Sequence, residues 1–420
     1  MNKKQKKDRI SNLWYSGAYM TKVQDQTRLD HVLSHGIEEI FIKESLESKL
    51  RSGKKLRVKL GIDPTSPHIH LGRAIVLWKL REFQEAGHKV VFIVGDFTAL
   101  IGDPSDKLAK RPMLSSGEVK SNLKKYRDQV GKIIDLKKAE FQFNSKWLKK
   151  LNFEDVAALA DSFSVQQMSH RRNFADRIES GEEISLREFL YPLMQGYDSV
   201  AVRADVEIGG FDQLFNLKAG RVIQKQYGQK EQDIIVCSML EGTDGRKMSS
   251  SWGNVINIDD EPHDMYGKTM SIRDDLVEKY FNLCTRLPKE KIREIMEEVF
   301  VVNPRDAKMR LAYELVRIYH GEKRAKEAET GFVKKFQKKE IPDSIREIEI
   351  SGNNFLSDVL MKNSIVSSKS EFQRLYNSGA IEWSSDMKTW QKPTSHKSVI
   401  NFSPCIIRVG KHRFIKTVIK

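Results

Sequence analysis

LRVKLGIDPTSPHIHLGRAIVLWKLREFQEAGHKVVFIVGDF, residues Leu56–Phe97, decides the fold. LRVKLG (Leu56–Gly61) reads as a strand, LGRAIVLWKLREFQEAG (Leu71–Gly87) as an amphipathic helix and KVVFIVGDF (Lys89–Phe97) as a second strand ending in Gly and Asp. The rhythm returns later in RADVEIGG (Arg203–Gly210), the helical FDQLFNLKAGRVIQKQYG (Phe211–Gly228) and DIIVCSML (Asp233–Leu240). Such alternation implies an α/β architecture with a parallel sheet and helices on its faces, where ligands sit beyond the carboxyl ends of the strands.

The chain has 420 residues, enough for two or three domains. With 39% hydrophobic and 31% charged residues it can bury a sizeable core, which excludes disorder of the whole chain. The apolar run Val90–Val94 meets Asp96 long before a membrane span could form. Three cysteines, odd in number and without paired spacing, argue against a disulfide framework and a zinc site, and for a reducing, cytoplasmic compartment. Lys and Arg outnumber Asp and Glu by 72 to 57, a net charge of +15 that suggests a polyanionic partner.

Residues 1–26 form a basic arm without the apolar segment of a secretory signal, and Met20 is an alternative start. The α/β region spans 27–260. A charged, amphipathic stretch at 261–336 reads as a helical domain, and 337–353, which holds Pro342, as a linker. Residues 354–420 carry 11 Lys/Arg against 4 Asp/Glu, a local excess of seven positive charges.

Two segments carry chemistry. GIDPTSPHIHLG (Gly61–Gly72) sets Asp63, Thr65 and His70 between a strand and a helix, and Gly72 in the first helical turn lets a flat ligand approach the backbone. Free N–H groups at that helix start suit a phosphate. DGRKMSSSWGN (Asp244–Asn254) offers Arg246, Lys247 and a run of hydroxyls, including Ser249 and Ser250, as a loop to hold a polyphosphate. Taken alone, His70 is equally a helix cap and the serine run a solvated loop. Their joint presence on one α/β domain makes the phosphate reading the stronger one.

HLGR (His70–Arg73) resembles the HIGH motif of class I aminoacyl-tRNA synthetases, and KMSSS (Lys247–Ser251) resembles their KMSKS loop. KLGIDPTSP, GDFTALIGDPS, FLYPLMQGYDS and ADVEIGGFDQLFN narrow the similarity to bacterial tyrosyl-tRNA synthetases, from about Thr27 to the C-terminus. The resemblance implies a Rossmann-like catalytic domain with a dimer-interface insertion around Glu118–Asp161, a helical anticodon-side domain and a small α+β RNA-binding domain like that of ribosomal proteins.

It further implies activation of L-tyrosine by ATP with Mg2+, transfer to tRNA(Tyr), a homodimer and no membrane. Asp103, Tyr191 and Gln195 match residues around the substrate ammonium, Asp198 the acceptor of the phenol proton, and Gln213 a residue near the tyrosine carboxylate; Asp63 joins this set. Lys59 stands where some relatives have tyrosine. Asp212 matches the ribose ligand, with His70, Gly72, Arg73, Lys247, Ser249 and Ser250 on ATP. Thr65, His70, Lys107, Arg111, Arg246 and Lys247 are the expected grip on the departing pyrophosphate, and no carboxylate cage for a metal is visible. In the tail Lys369, Arg374, Lys411 and Arg413 are the expected RNA contacts.

Asp103 in GDPS is also a ready turn former, and Asp212 a ready helix cap. Four positions depart from the family pattern: Arg73, Asp106, Phe211 and Ser250. They support one alternative, a synthetase-derived RNA-binding protein with impaired catalysis.

Overall fold

The computed structural model describes residues 26–105, 113–336, 345–350, 354–385, 390–393, 395, 399–400, 405–410 and 413–419. Lys107, Arg111, Asp106 and Lys411 lie outside them. Two compact units divide the chain, 1–330 and 331–420.

The first unit is built on a six-stranded sheet of β1 (Ile37–Phe41), β2 (Arg57–Ile62), β3 (Lys89–Val94), β4 (Glu140–Phe143), β5 (Val206–Gly210) and β6 (Asp233–Cys237) in the order β1-β6-β5-β2-β3-β4. All neighbours are parallel except β1, which runs antiparallel to β6 at one edge. Val90–Val94 and Ile234–Cys237 are buried throughout, as strands covered on both faces must be. Helix α1 (Leu71–Glu85) crosses from β2 to β3 and turns Leu71, Ala74, Ile75, Leu77, Leu80 and Phe83 inward at helical spacing.

From β2 the chain moves to β3 on one side, and β5 leads to β6 on the other, so the strand order reverses between β2 and β5. The carboxyl ends there form the crevice typical of open α/β sheets. Helix α2 (Leu186–Val202) packs on α3 (Leu214–Gln226), and the capping box of Ser185 with Glu188 fixes the start of α2.

The elements from Pro262 to Phe336 are all helical, and residues up to 330 belong to the first unit rather than to a body of their own. Helices Pro304–His320 and Glu322–Phe336 are separated by Gly321 at φ +86°, a conformation glycine adopts without strain.

In the second unit the expected linker contains a strand: β7 (Arg346–Ile350) pairs with β10 (Arg413–Ile419) in a sheet completed by β8 (Ile381–Ser384) and β9 (Cys405–Val409), ordered β7-β10-β9-β8. REIEI alternates, and Ile348 and Ile350 enter the core with Leu356, Leu360, Phe372 and Ile407. Losing helical period marks a change of period here, not a loss of structure.

Candidate active site

A cavity of about 540 Å³ opens at the carboxyl ends of β2, β3, β5 and β6. Asp63, Thr65, His70, Gly72, Arg73, Asp103, Tyr191, Gln195, Asp198, Asp212, Gln213, Lys247, Ser249 and Ser250 all line it, so motifs about 180 residues apart in the chain share one space.

One end is a closed polar lattice. Tyr191 donates its hydroxyl hydrogen to Asp63 Oδ2 at 2.9 Å, and Thr98 donates to the other oxygen at 2.7 Å. Gly95 has to be glycine, because a Cβ there would fall 1.9 Å from Asp63 Oδ1 and 2.3 Å from Thr98 Oγ1. Asp103 accepts from Gln213 Nε2 at 2.6 Å and from the hydroxyl and amide of Ser105. Behind it Arg171 donates to Ser105 and Asn216 and lies against the rings of Phe174 and Phe215. Burial pushes the Arg171 guanidinium down to about 10 even beside Asp103.

Asp198 sits deeper, on α2. Trp147 donates its indole N–H to Oδ1 at 2.7 Å, and Asn144 reaches Oδ2 at 3.3 Å. Burial raises the carboxyl to about 6, against the pull of Lys59, Trp147 and Asn144. Burial also pushes the Tyr191 phenol well above its usual value, with Asp63 adding to the effect.

Lys59 is not on the cavity wall. Its fully buried ammonium pairs with Glu207 at 2.9 Å and donates to the Gln195 carbonyl oxygen and the Ser199 hydroxyl. Glu207 in turn accepts from Gln195, Ser199 and Gln232. The expected contact of Lys59 with an amino acid is therefore corrected to an indirect one: a side chain spent on three buried partners has no donor left for a ligand.

The other end is open. His70 caps α1, its Nδ1 accepting from the Arg73 amide at 3.3 Å, so the ring hydrogen lies on Nε2. Burial, then Arg73 and Lys247, lowers this imidazole to about 3 and keeps it neutral. Arg73 donates to the Thr65 hydroxyl at 2.9 Å and to Tyr126 at 3.2 Å, so it braces the loop ahead of α1. Gly72 leaves room for the His70 ring, which a Cβ would approach at 3.1 Å.

Lys247 Nζ lies 3.1 Å from Asp212 Oδ2, each side chain about a third exposed. The loop carrying Lys247 is stapled by buried Asn254, which receives the Ser249 amide and donates to Asp244 Oδ1 and the Lys247 carbonyl oxygen. Arg246 turns away: it pairs with Asp244 at 2.6 Å, covers the Trp252 ring and is absent from the cavity lining. Phe211 stands half-exposed on the cavity wall.

Thr98, Asn144, Trp147, Arg171, Asn216 and Glu207 are the site residues the sequence did not reveal. Thr98, inside GDFTALIGDPS, and Glu207 and Asn216, inside ADVEIGGFDQLFN, lay within quoted motifs; Asn144, Trp147 and Arg171 did not. In the second unit Lys369 and Arg374 are exposed on the helix Lys369–Asn377, whereas Arg413 pairs with Glu371 at 3.0 Å.

A family profile for class I tRNA synthetases (W and Y) matches residues 51–337. A tyrosine–tRNA ligase of Thermotoga maritima is 47% identical over 392 residues, covering 92% of this chain and 96% of its own length. Another, from Carboxydothermus hydrogenoformans, is 46% identical over 413 residues, covering 94% and 99%. A C-terminally truncated mitochondrial tyrosyl-tRNA synthetase of Aspergillus nidulans superposes with a TM-score of 0.61 at 24% identity, covering 74% of this chain and 94% of that one; at that identity it speaks for the fold alone. None of these names favours the non-catalytic alternative. A profile across most of the chain and relatives nearly half identical along almost all of it lead to one conclusion: this chain belongs to the class I tRNA synthetases of the tryptophan and tyrosine type, alongside the bacterial tyrosine–tRNA ligases.

Proposed function

We propose that the cavity activates L-tyrosine with ATP, forming tyrosyl-adenylate and pyrophosphate, and then passes tyrosine to the 3′ end of tRNA(Tyr). The observation that carries this is Asp198, a carboxylate buried at the closed end of a cavity whose open end bears Lys247 and His70. A phenol hydroxyl gives Asp198 a further donor beside Trp147 and Asn144; phenylalanine leaves that remaining buried acceptor position unfilled. Tyr191, Asp103 and Gln195 receive the ammonium, and Gln213 meets the carboxylate.

The tyrosine carboxylate attacks the α-phosphorus, an O–P bond forms, and the bond to the β-phosphate oxygen breaks in line. No side-chain nucleophile is needed, so positioning and charge stabilisation do the catalysis. Neutral His70 offers Nε2–H to a phosphate oxygen, and Lys247 leaves Asp212 to follow the developing charge, freeing Asp212 for the ribose. Thr65 and Arg73 act together as one braced donor pair. ATP enters as its magnesium complex. Among the described residues Asp212 is the carboxylate that faces Lys247 at this end, so the ion is held mainly by phosphates and water.

Lys369 and Arg374 present charge to the RNA backbone. Phe153 and Leu186, 89% and 81% exposed, and Val165 form apolar surface that a homodimer would cover. The cytoplasm is the proposed location; no helix among the described residues is long and apolar enough to cross a membrane.

Tyrosine-dependent ATP–pyrophosphate exchange on purified protein, with phenylalanine and tryptophan as controls, tests the reading. Exchange with tyrosine alone is expected; a folded protein that binds tRNA without exchange would sink it.

A further inference from the structure

Away from the cavity, Glu82 lies on α1 about three turns beyond the His70 cap, and two imidazoles converge on it. His31 belongs to the helix Gln26–Ser34 and His35 follows at its end, a spacing that places both on one face. His35 Nδ1 is 3.0 Å from Glu82 Oε1, His31 Nε2 is 3.6 Å from the same oxygen, and the rings stack with centroids 4.6 Å apart.

The opposite nitrogen of His35, Nε2, lies 2.8 Å from the Asn282 carbonyl oxygen. A carbonyl only accepts, so Nε2 carries the hydrogen. In the neutral ring, Nδ1 is then a lone pair aimed at a carboxylate, and that contact is repulsive without a cation between them. A cation between the two atoms, a proton or a metal ion, is what this geometry calls for.

Lys79 Nζ at 2.5 Å and Arg286 Nη1 at 3.3 Å hold the two oxygens of Glu82. The same two cations oppose a weakly bonding ion. The occupant must therefore be one that binds imidazole strongly, which excludes calcium and magnesium.

We propose that His31, His35 and Glu82 form a binding site for a divalent transition-metal ion, zinc first, with water completing the shell on the half-exposed His31 side. The three ligand atoms lie within 4.8 Å of one another. Tetrahedral zinc with bonds of about 2.0–2.1 Å sets its ligand atoms roughly 3.3–3.4 Å apart, so His31 moves in from 3.6 Å and the 3.0 Å contact of His35 with Glu82 opens slightly. The bond from His35 Nε2–H to a backbone carbonyl is the outer contact that fixes a ligating imidazole. The cluster lines no part of the cavity, so the ion staples the Gln26–Ser34 helix to α1 and to the segment at Asn282 instead of reacting.

Equilibrium dialysis of the untagged full-length chain against Zn2+ near pH 7.5 tests this, with Co2+ absorption as a second readout. One zinc per chain is expected, released near pH 5.5 as protons compete. His31→Ala and His35→Gln should each weaken binding at least about tenfold and abolish the cobalt band, while tyrosine-dependent exchange in His31→Ala stays unchanged and reports an intact fold. No retained zinc, or zinc held equally well by folded variants, overturns the proposal.

Discussion

At the closed end of the cavity, Asp198 and Asp103 are buried and each is held by at least two donors; at the open end, Lys247 and Asp212 are a third exposed and face one another. The first end is assembled before any ligand arrives, and on the proposed function its selectivity lies in the cost of leaving a buried acceptor short of one donor. The second end stores its charge in a pair that must separate for either member to work. The proposed function thus assigns selectivity and rate to opposite ends of one crevice.

Substitutions at the two ends should therefore fail in different ways. Lys247→Met should lower kcat of pyrophosphate exchange by about 10²–10³-fold with the KM for tyrosine nearly unchanged, the usual scale for a lost transition-state donor. A rise in tyrosine KM would break the division. Asp198→Ala should lower kcat/KM for tyrosine by roughly 10–10²-fold, the value of a hydrogen bond to a charged acceptor, and narrow the preference over phenylalanine in the same assay.

For the wild type, tyrosine kcat/KM should fall as pH drops through about 6, where Asp198 takes up a proton, and Asp198→Ala should lack that limb. The sign for stability is the reverse. Folding raises this carboxyl above its unfolded value of 3.8, so it favours the folded state below that value and loses that advantage as pH rises to about 6. Gly95→Ala should cost about 1–3 kcal/mol in urea melts through its clash with Asp63 and Thr98. Ser250→Lys, which restores the family loop, should change kcat by no more than about fivefold, since an exposed charge is worth roughly 0–1 kcal/mol.

The closed end was only half legible in the sequence. Asp103, Tyr191, Gln195 and Asp198 lay in quoted motifs, but Trp147 sits in NSKWLKK, which reads as a polar helix start, and reaches Asp198 only because β4 lies at the far edge of the sheet. Pairings of such separation leave no local period to detect. Arg73 was legible as a charge at the helix start, not as the brace of Thr65 and Tyr126, because partners are decided by loop geometry. Arg246 shows the same limit: its neighbour Asp244, two residues away, claims the guanidinium. Strands β3 and β6 were legible throughout, since full burial on both faces leaves an uninterrupted apolar run, whereas half-buried β4 at the sheet edge carries no such run.

The buried Lys59–Glu207 pair also constrains ancestry. Replacing either partner alone strands a charge inside the sheet, at about 3–5 kcal/mol. A lineage with lysine at this position and one with tyrosine are thus separated by a two-step crossing with an unfavourable midpoint. Gln195 is bonded to both members of the pair, so a change at Lys59 or Glu207 also resets a side chain on the cavity wall.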